Sequence, residues 1–330
     1  MKIGVAGATG EVGRMMLKVM EEYEIPVKEL RLFASAKSAG NKLIYDKKEV
    51  TVEELTDEVM KEHYDYLLFS AGGGTSTRFS PVAAKSGNTV IDNSSAFRSY
   101  DEIPLVVPEI NGDLLKGYSG IIANPNCSTI QMVLALNGLR DYGIREIVVS
   151  TYQSISGAGK KALNVYDREL VLSSEGKNAY TENDVFPKQI FENVIPLIGT
   201  IEDDTGISNE DYKMVNETRK IYRDDSITVY PFTARVATRY SHGESVLVKL
   251  GEDIDRETFI RKVSETPNVI CTDDLKTPIE VAGSDNTYIS RIRKMDNGVF
   301  MIWVVADNIR VGAATNAVRI LMEHRRLNRR

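Results

Sequence analysis

The first 23 residues constrain the fold more than any other stretch of this chain. Lys2-Ile-Gly-Val-Ala6 is a short run, apolar after its first residue, that stops at a glycine. It reads as a buried strand. Gly7-Ala-Thr-Gly10-Glu-Val-Gly13 follows, and then Arg14–Tyr23, where apolar residues at 12, 15, 16, 19 and 20 keep the helical period. A strand, a glycine turn and a helix in that order bring backbone N–H groups to the start of a helix. Such an end accepts a pyrophosphate, and the glycines allow tight turning and close approach. The spacing is GxxGxxG, so Gly7, Gly10 and Gly13 suit a dinucleotide without specifying one. Thr9, Glu11 and Val12 lie inside the same motif and are expected to line the same site.

The rest of the first half repeats the pattern. Strands are expected at Leu30–Ala34, Asp65–Ser70, Asn88–Asp92 and Gly120–Ala123, with helical segments between them. That alternation predicts an α/β domain of Rossmann type with a parallel sheet. The second half differs. A strand at Glu146–Gln153 precedes a polar stretch of helix and loop from about 158 to 224. Strands then follow at about 226–240, 244–250, 287–294 and 299–306, with a helix at Arg256–Ser264. This predicts an α+β domain with a mainly antiparallel sheet. The expected division is 1–126, completed by a C-terminal helix over 311–330, and 127–310. Arg325, Arg326, Arg329 and Arg330 sit where a helix dipole favours cations, and read as a solvated end.

With 330 residues the chain has length for about two domains. Its 41 Lys and Arg against 47 Asp and Glu give −6, a poor balance for nucleic-acid binding. The longest clean apolar run, Val299–Ala306, is far short of the roughly 20 residues a membrane helix needs. Glu11 and Arg14 come too early for a secretory leader. Two cysteines and three histidines make neither a disulfide framework nor a Cys/His metal cage, so a reducing cytoplasm and no metal are expected.

The end of the second strand points to a particular nucleotide. NAD sites usually carry an acid there for the ribose 2′-hydroxyl. Here the chain reads Phe33-Ala-Ser35-Ala-Lys37-Ser38, with no acid. Two hydroxyls and an ammonium suit a 2′-phosphate, so NADP is the expected cofactor.

Ala123-Asn-Pro-Asn126-Cys127 runs into the periodic segment Ser128–Leu136, which puts Cys127 at a helix start. The dipole and free N–H groups there favour a thiolate and can hold an oxyanion. Cys271, in Asn268-Val-Ile-Cys271, reads as a buried apolar residue.

At this point the chain resembles the aspartate-semialdehyde dehydrogenase family. The matching pieces are Gly7–Gly13, Asp92-Asn-Ser-Ser-Ala-Phe-Arg98, Asn124-Pro-Asn-Cys-Ser-Thr129, Tyr152-Gln153 through Ser156-Gly157, Asn216-Glu217-Thr-Arg-Lys220, Arg235 with His242, and Ala306-Asp-Asn308 through Gly312. They run from one end of the chain to the other. One departure is Thr233-Ala-Arg235-Val-Ala-Thr-Arg239-Tyr-Ser-His242-Gly243-Glu244, since the family usually has a more apolar run after the arginine and a serine after the histidine; the Arg-to-His spacing of seven is kept.

The resemblance implies reduction of L-aspartyl 4-phosphate by NADPH to the semialdehyde, with release of phosphate. Cys127 would form a thioester, and His242 would act as acid–base on the hemithioacetal oxygen. Arg235 would clamp the substrate carboxylate, Glu217 its ammonium, and Arg98 and Lys220 the phosphate. Gln153 would orient the acyl group, with Asn126 in the same pocket. Gly157 and Asn308 would meet the cofactor, Asn308 at the nicotinamide. His63 and His324 lie among charged residues and are expected to be exposed bystanders.

The resemblance also implies a homodimer or dimer of dimers paired through the second domain's sheet. The biosynthesis of lysine (through diaminopimelate), threonine, methionine and isoleucine would be its setting. Related alternatives are an acetylglutamyl-phosphate reductase, which usually has Asn-Pro-Gly before its cysteine, and an archaeal-type malonyl-CoA reductase. A malonyl thioester has no α-amino group and would leave Glu217 without a task. A non-catalytic NADP-binding scaffold would not need both Cys127 and His242.

Overall fold

The computed structural model describes residues 1–180 and 182–328. The chain forms two units, Met1–Asn126 with the C-terminal segment from Ala313, and Cys127–Gly312. Arg329 and Arg330, two of the four arginines at the basic C-terminal end, lie outside the described residues.

The first unit holds β1 (Lys2–Ala6), β2 (Glu29–Ala34), β3 (Lys42–Tyr45), β4 (Lys48–Glu54), β5 (Tyr66–Phe69), β6 (Thr89–Asp92) and β7 (Ile121–Ala123). They form one sheet in the order β3-β4-β2-β1-β5-β6-β7. Every pair is parallel except the β3–β4 hairpin. The helices in this part of the chain are α1 (Glu11–Glu22), α2 (Asp57–Lys61), α3 (Gly73–Lys85) and α4 (Pro108–Asn111).

The glycine turn forms for steric reasons. Gly7 has φ +80°, and a Cβ there would lie 2.3 Å from the Ser70 carbonyl oxygen. A Cβ on Gly13 would meet the Gly7 oxygen at 2.2 Å. Both positions therefore exclude side chains. Gly7 and Ala8 donate their N–H groups to the Phe33 carbonyl, which ties the turn to the end of β2. Downstream, Asp92 accepts from the Ser80 hydroxyl and the Ser94 N–H, so the first part of the Asp92–Arg98 motif braces a loop.

The second unit holds α5 (Cys127–Leu136), β8 (Ile144–Gln153), α6 (Lys160–Ser174), β9 (Val194–Ile195), α7 (Asn209–Tyr222), β10 (Thr228–Val236), β11 (His242–Leu250), α8 (Arg256–Ser264), β12 (Val269–Cys271), α9 (Pro278–Val281), β13 (Thr287–Asp296) and β14 (Val299–Ala306). Its sheet runs β12-β13-β14-β11-β8-β10-β9. The pairs β8–β10 and β12–β13 are parallel and the other four are antiparallel.

One sheet face covers α5-side core residues such as Val149, Val246 and Ile302. The opposite face leaves Val148, Tyr152, Tyr230 and Phe232 exposed on the adjacent strands β8 and β10. Trp303 lies on that face above Gly243, where a Cβ would sit 2.3 Å from its ring. Glycine after His242, where the family usually has serine, is thus the residue that this Trp303 placement requires.

Two expectations are corrected. The last helix, α10 (Thr315–Asn328), starts at Thr315 and not at 311, because Arg310–Ala314 forms a wider π-type turn first. His324 is buried, not exposed. Its Nδ1 meets the Tyr66 hydroxyl at 2.8 Å and its Nε2 the Tyr118 carbonyl at 2.9 Å. It shares the helical face of Ala317, Ile320 and Leu321, and that period overrides its charged neighbours in sequence. His63 is exposed.

Candidate active site

In the first unit a cleft of about 490 Å³ opens at the C-terminal ends of β1, β2 and β4. Gly7, Thr9, Gly10, Ser35, Glu54, Ser70, Thr75 and Arg78 are among the residues that line it. Gly10 caps α1 with no side-chain hydrogen bond, so the first-turn N–H groups at Glu11 and Val12 stay available to a ligand. The geometry fits a dinucleotide, since the backbone is stripped of side chains where a pyrophosphate would lie. Ser35 lines the cleft, while Lys37 and Ser38 follow in a short 3-10 turn whose Lys37 is exposed. Sequence reasoning missed both charged lining residues, Glu54 at the end of β4 and Arg78 on α3. Neither lies near the glycine motif in sequence.

The second unit brings Cys127, His242, Arg235, Gln153, Gly157 and Asn308 together. Cys127 begins α5, and its Sγ lies 3.2 Å from His242 Nε2. Gly312 packs so closely on the start of α5 that a Cβ there would be 2.5 Å from Cys127 Cβ.

His242 starts β11 and is fully buried. Burial, and then the Arg235 charge, hold its imidazole far below the ordinary range, at about 3. It is therefore neutral at physiological pH. Its Nδ1 receives the Ser154 N–H at 3.0 Å, and its carbonyl accepts from Gln131 Nε2 at 3.3 Å.

Arg235 is 6% exposed on β10. It makes one hydrogen bond, Nη1 to the Ser154 carbonyl at 2.7 Å, and no carboxylate among the described residues lies within ion-pair distance. Burial pulls its pKa down, opposed by the charges of Glu210 and Cys127. A buried guanidinium with most of its N–H fork uncommitted has the donors to bind a planar anion in two-point geometry.

Gln153 ends β8 with its amide 3.4 Å from Glu210 Oε1. Glu210 was not anticipated from sequence. It opens α7, is 6% exposed and pairs with Lys213 at 2.9 Å. Glu217 lies two turns along on the same buried face at 4% exposure, so it is not a surface residue, and Lys220 is half-buried. Glu244, two residues after His242 on β11, is fully buried. Burial pushes its carboxyl well above the ordinary range, and Gln131 is its polar neighbour.

Asn308 Oδ1 accepts three hydrogen bonds, from Ser154 Oγ and Ser156 Oγ at 3.1 Å and from the Ser241 N–H at 2.9 Å. In the first unit, Asn126 is buried and the half-buried Arg98 donates Nη2 to the Asn93 carbonyl at 2.9 Å. Among the described residues no group of three or more His, Cys, Asp or Glu side chains could hold a metal. No helix among them is long and apolar enough to cross a membrane.

Comparison with known proteins matches residues 2–118 to the semialdehyde dehydrogenase NAD-binding domain and residues 136–311 to the semialdehyde dehydrogenase dimerisation domain. An aspartate-semialdehyde dehydrogenase of Aquifex aeolicus is 45% identical, over 97% of this chain and 96% of its own. The chain belongs to the aspartate-semialdehyde dehydrogenase family. It is therefore an enzyme of that oxidoreductase class. The Bacillus subtilis aspartate-semialdehyde dehydrogenase is 40% identical over 99% of this chain and 98% of its own. A crystal structure of Vibrio cholerae aspartate semialdehyde dehydrogenase II, described as complexed with ASA, superposes with a TM-score of 0.94 at 40% identity, covering 98% of each chain.

Proposed function

We propose that this enzyme catalyses the NADPH-dependent reduction of L-aspartyl 4-phosphate to L-aspartate 4-semialdehyde and phosphate, through a thioester on Cys127. The pairing of a helix-start Cys127 with His242 Nε2 at 3.2 Å, beside a buried Arg235 with an uncommitted fork, carries this reading. Cys127 Sγ attacks the acyl carbon, the C–O bond to phosphate breaks, and the acyl group stays on sulfur. NADPH, when bound, supplies the hydride. Thr9, Glu11, Val12 and the three glycines of the β1–α1 turn hold its pyrophosphate, and Ser35, Lys37 and Ser38 favour the 2′-phosphate.

Arg235 takes the substrate carboxylate in a two-point contact. Glu217 takes the ammonium, Arg98 and Lys220 the phosphate, and Gln153 with Asn126 the acyl group. His242 presents its Nε2 to the carbonyl oxygen as charge develops there. Gly157 and Asn308 complete the nicotinamide side. The exposed apolar rows of β8 and β10 favour a homodimer, which itself can pair, formed through this sheet face. A cytoplasmic place in lysine (through diaminopimelate), threonine, methionine and isoleucine biosynthesis follows from the same reading.

The test is the reverse reaction, with NADP reduction followed while the semialdehyde and phosphate are each omitted in turn. Strict dependence on both is expected. Turnover without phosphate, or only with malonyl-CoA in the reductive direction, would overturn it.

A further inference from the structure

Glu244 is a fully buried acid that the chemistry proposed above does not use. Strand alternation puts it on the same face as Val246, the face that meets α5. In register it stands opposite Thr151 on β8 and Val304 on β14, so neither adjacent strand sets a cation against it. Burial and the Gln131 side chain are the influences on its carboxyl, and no charged group is among them. The titratable side chains at this end of β11 and α5 are His242, which burial holds neutral, and Cys127. Arg235, on the strand beyond β8, feels the charges of Glu210 and Cys127 and not that of Glu244.

Gln131 lies one turn along α5 from Cys127 and is itself buried. Its Nε2 donates to the His242 carbonyl at 3.3 Å. A carbonyl only accepts, so the amide nitrogen faces it and Oε1 is the branch turned away. Among the described residues, Gln131 Oε1 has no donor and neither oxygen of Glu244 has a hydrogen-bond partner. An ionised carboxylate offers only lone pairs. It would leave all three oxygens unpaired in a site closed to water, which is costly for each. A protonated carboxyl has an O–H to give, and the unpaired acceptor on the polar side chain that it meets is Gln131 Oε1.

We propose that Glu244 is a positioning residue that works as a neutral carboxylic acid: it donates its proton to Gln131 Oε1 and so pins the first turns of α5, with Cys127 at their start, to β11. Gln131 is then held at both ends of its amide, by the backbone of residue 242 and by the side chain of residue 244 on one strand. Two points of attachment fix the rotation of α5 about its own axis, and that rotation sets where Cys127 Sγ lies. The donor has this task and the negative charge of a carboxylate has none. The proposal rests on the Cys127 mechanism given above and adds to it a residue that touches neither substrate nor cofactor.

Infrared difference spectra of the full, substrate-free protein read the acid directly. Wild type minus Glu244→Gln at neutral pH should show the C=O band of a protonated carboxylic acid. Carboxylate bands in its place would overturn the proposal. Gln131→Met removes the acceptor and should move the acid band to higher frequency, as a lost O–H donor bond does. An unmoved band would take Gln131 out of the pair. Because no substrate is present, these results stand whether or not the semialdehyde is turned over.

The second arm is steady-state kinetics of two variants of similar size. Glu244→Gln keeps a donor, an amide N–H, in nearly the same shape and should hold kcat within about twofold of wild type. Glu244→Met has no donor, leaves Gln131 Oε1 unpaired and should lower kcat about tenfold, with the cofactor KM within about twofold. Equal losses in the two would mean that the negative charge is what the site needs. Full activity in both would mean that the donor positions nothing. Either result would overturn the proposal, and the spectra with Glu244→Gln decide it should Glu244→Met not fold.

Discussion

Replacing Gly157 by alanine tests whether the site is as tightly built as its distances imply. A Cβ there would lie 2.9 Å from Arg235 Nη1 and 3.3 Å from both Cε1 and Nε2 of His242. Gly157 is not among the residues with positive φ, so alanine meets no backbone penalty and the effect isolates the methyl. Neither neighbour yields freely. Arg235 Nη1 is held by the 2.7 Å bond to the Ser154 carbonyl, and the imidazole is held at Nδ1. Restoring ordinary contact needs a shift of about half an ångström in the guanidinium, the ring or both. A misplacement of about 1 Å at a reacting group can cost around 100-fold, so about half of that should cost about tenfold in kcat/KM, or about 1.4 kcal/mol. The assay is semialdehyde kcat/KM beside a thermal melt, with the melt expected to move little. An unchanged kcat/KM would refute the reasoning, because it would mean that the pocket has slack where the geometry shows none.

Cys127→Ser should keep cofactor binding and lose nearly all turnover, and retention of more than about a tenth of the rate would remove Cys127 from the chemistry. Lys37→Ala should erode the preference for NADP over NAD in kcat/KM, and equal wild-type values for the two cofactors would end that reading. Arg235→Lys keeps a charge but loses the planar fork. Its semialdehyde KM should rise about tenfold or more while the phosphate KM moves less, and the opposite pattern would exchange the roles given to the arginines. Glu244 gives a stability prediction. Its folded pKa is raised, so between the unfolded value near 4.5 and the folded value the native state holds a proton that the unfolded chain releases. Stability from this group is complete below about 4.5 and falls by about 1.4 kcal/mol per pH unit as pH rises towards the folded pKa. Urea denaturation of wild type and Glu244→Gln across that window should show the slope in the former only, and parallel curves would contradict it.

What could be read from the sequence follows from the range of the forces involved. The β1–turn–α1 unit was legible because its constraints are local, with glycines that allow no Cβ and an apolar period set by one helix. The β3–β4 hairpin escaped because its turn uses Asp46 and Lys47 at φ +46° and +61° in place of the usual Asn-Gly signal. His324 was misread because its charged neighbours in sequence say nothing about the helical face three and four residues away. Glu54, Arg78, Glu210 and the Ser154–Asn308 contacts join residues far apart in the chain, and no spacing rule reaches them. The order of motifs identified the family, but the donor and acceptor assignments needed coordinates.

The two buried basic groups at the site explain one another. Arg235 carries a charge at 6% exposure with no ion-pair partner among the described residues, supported by the fields of Glu210 and Cys127, and such burial is costly. Its field also holds the adjacent imidazole neutral, since an imidazolium beside it would place two buried cations together. A neutral imidazole can then be oriented by a backbone N–H, which a protonated ring could not accept. The Arg235 charge therefore also favours a neutral His242 beside Cys127. When a carboxylate binds Arg235, its opposing charge offsets that field at the ring, but burial, the larger of the two causes, persists. Burial therefore continues to favour a neutral His242 when an anion meets Arg235.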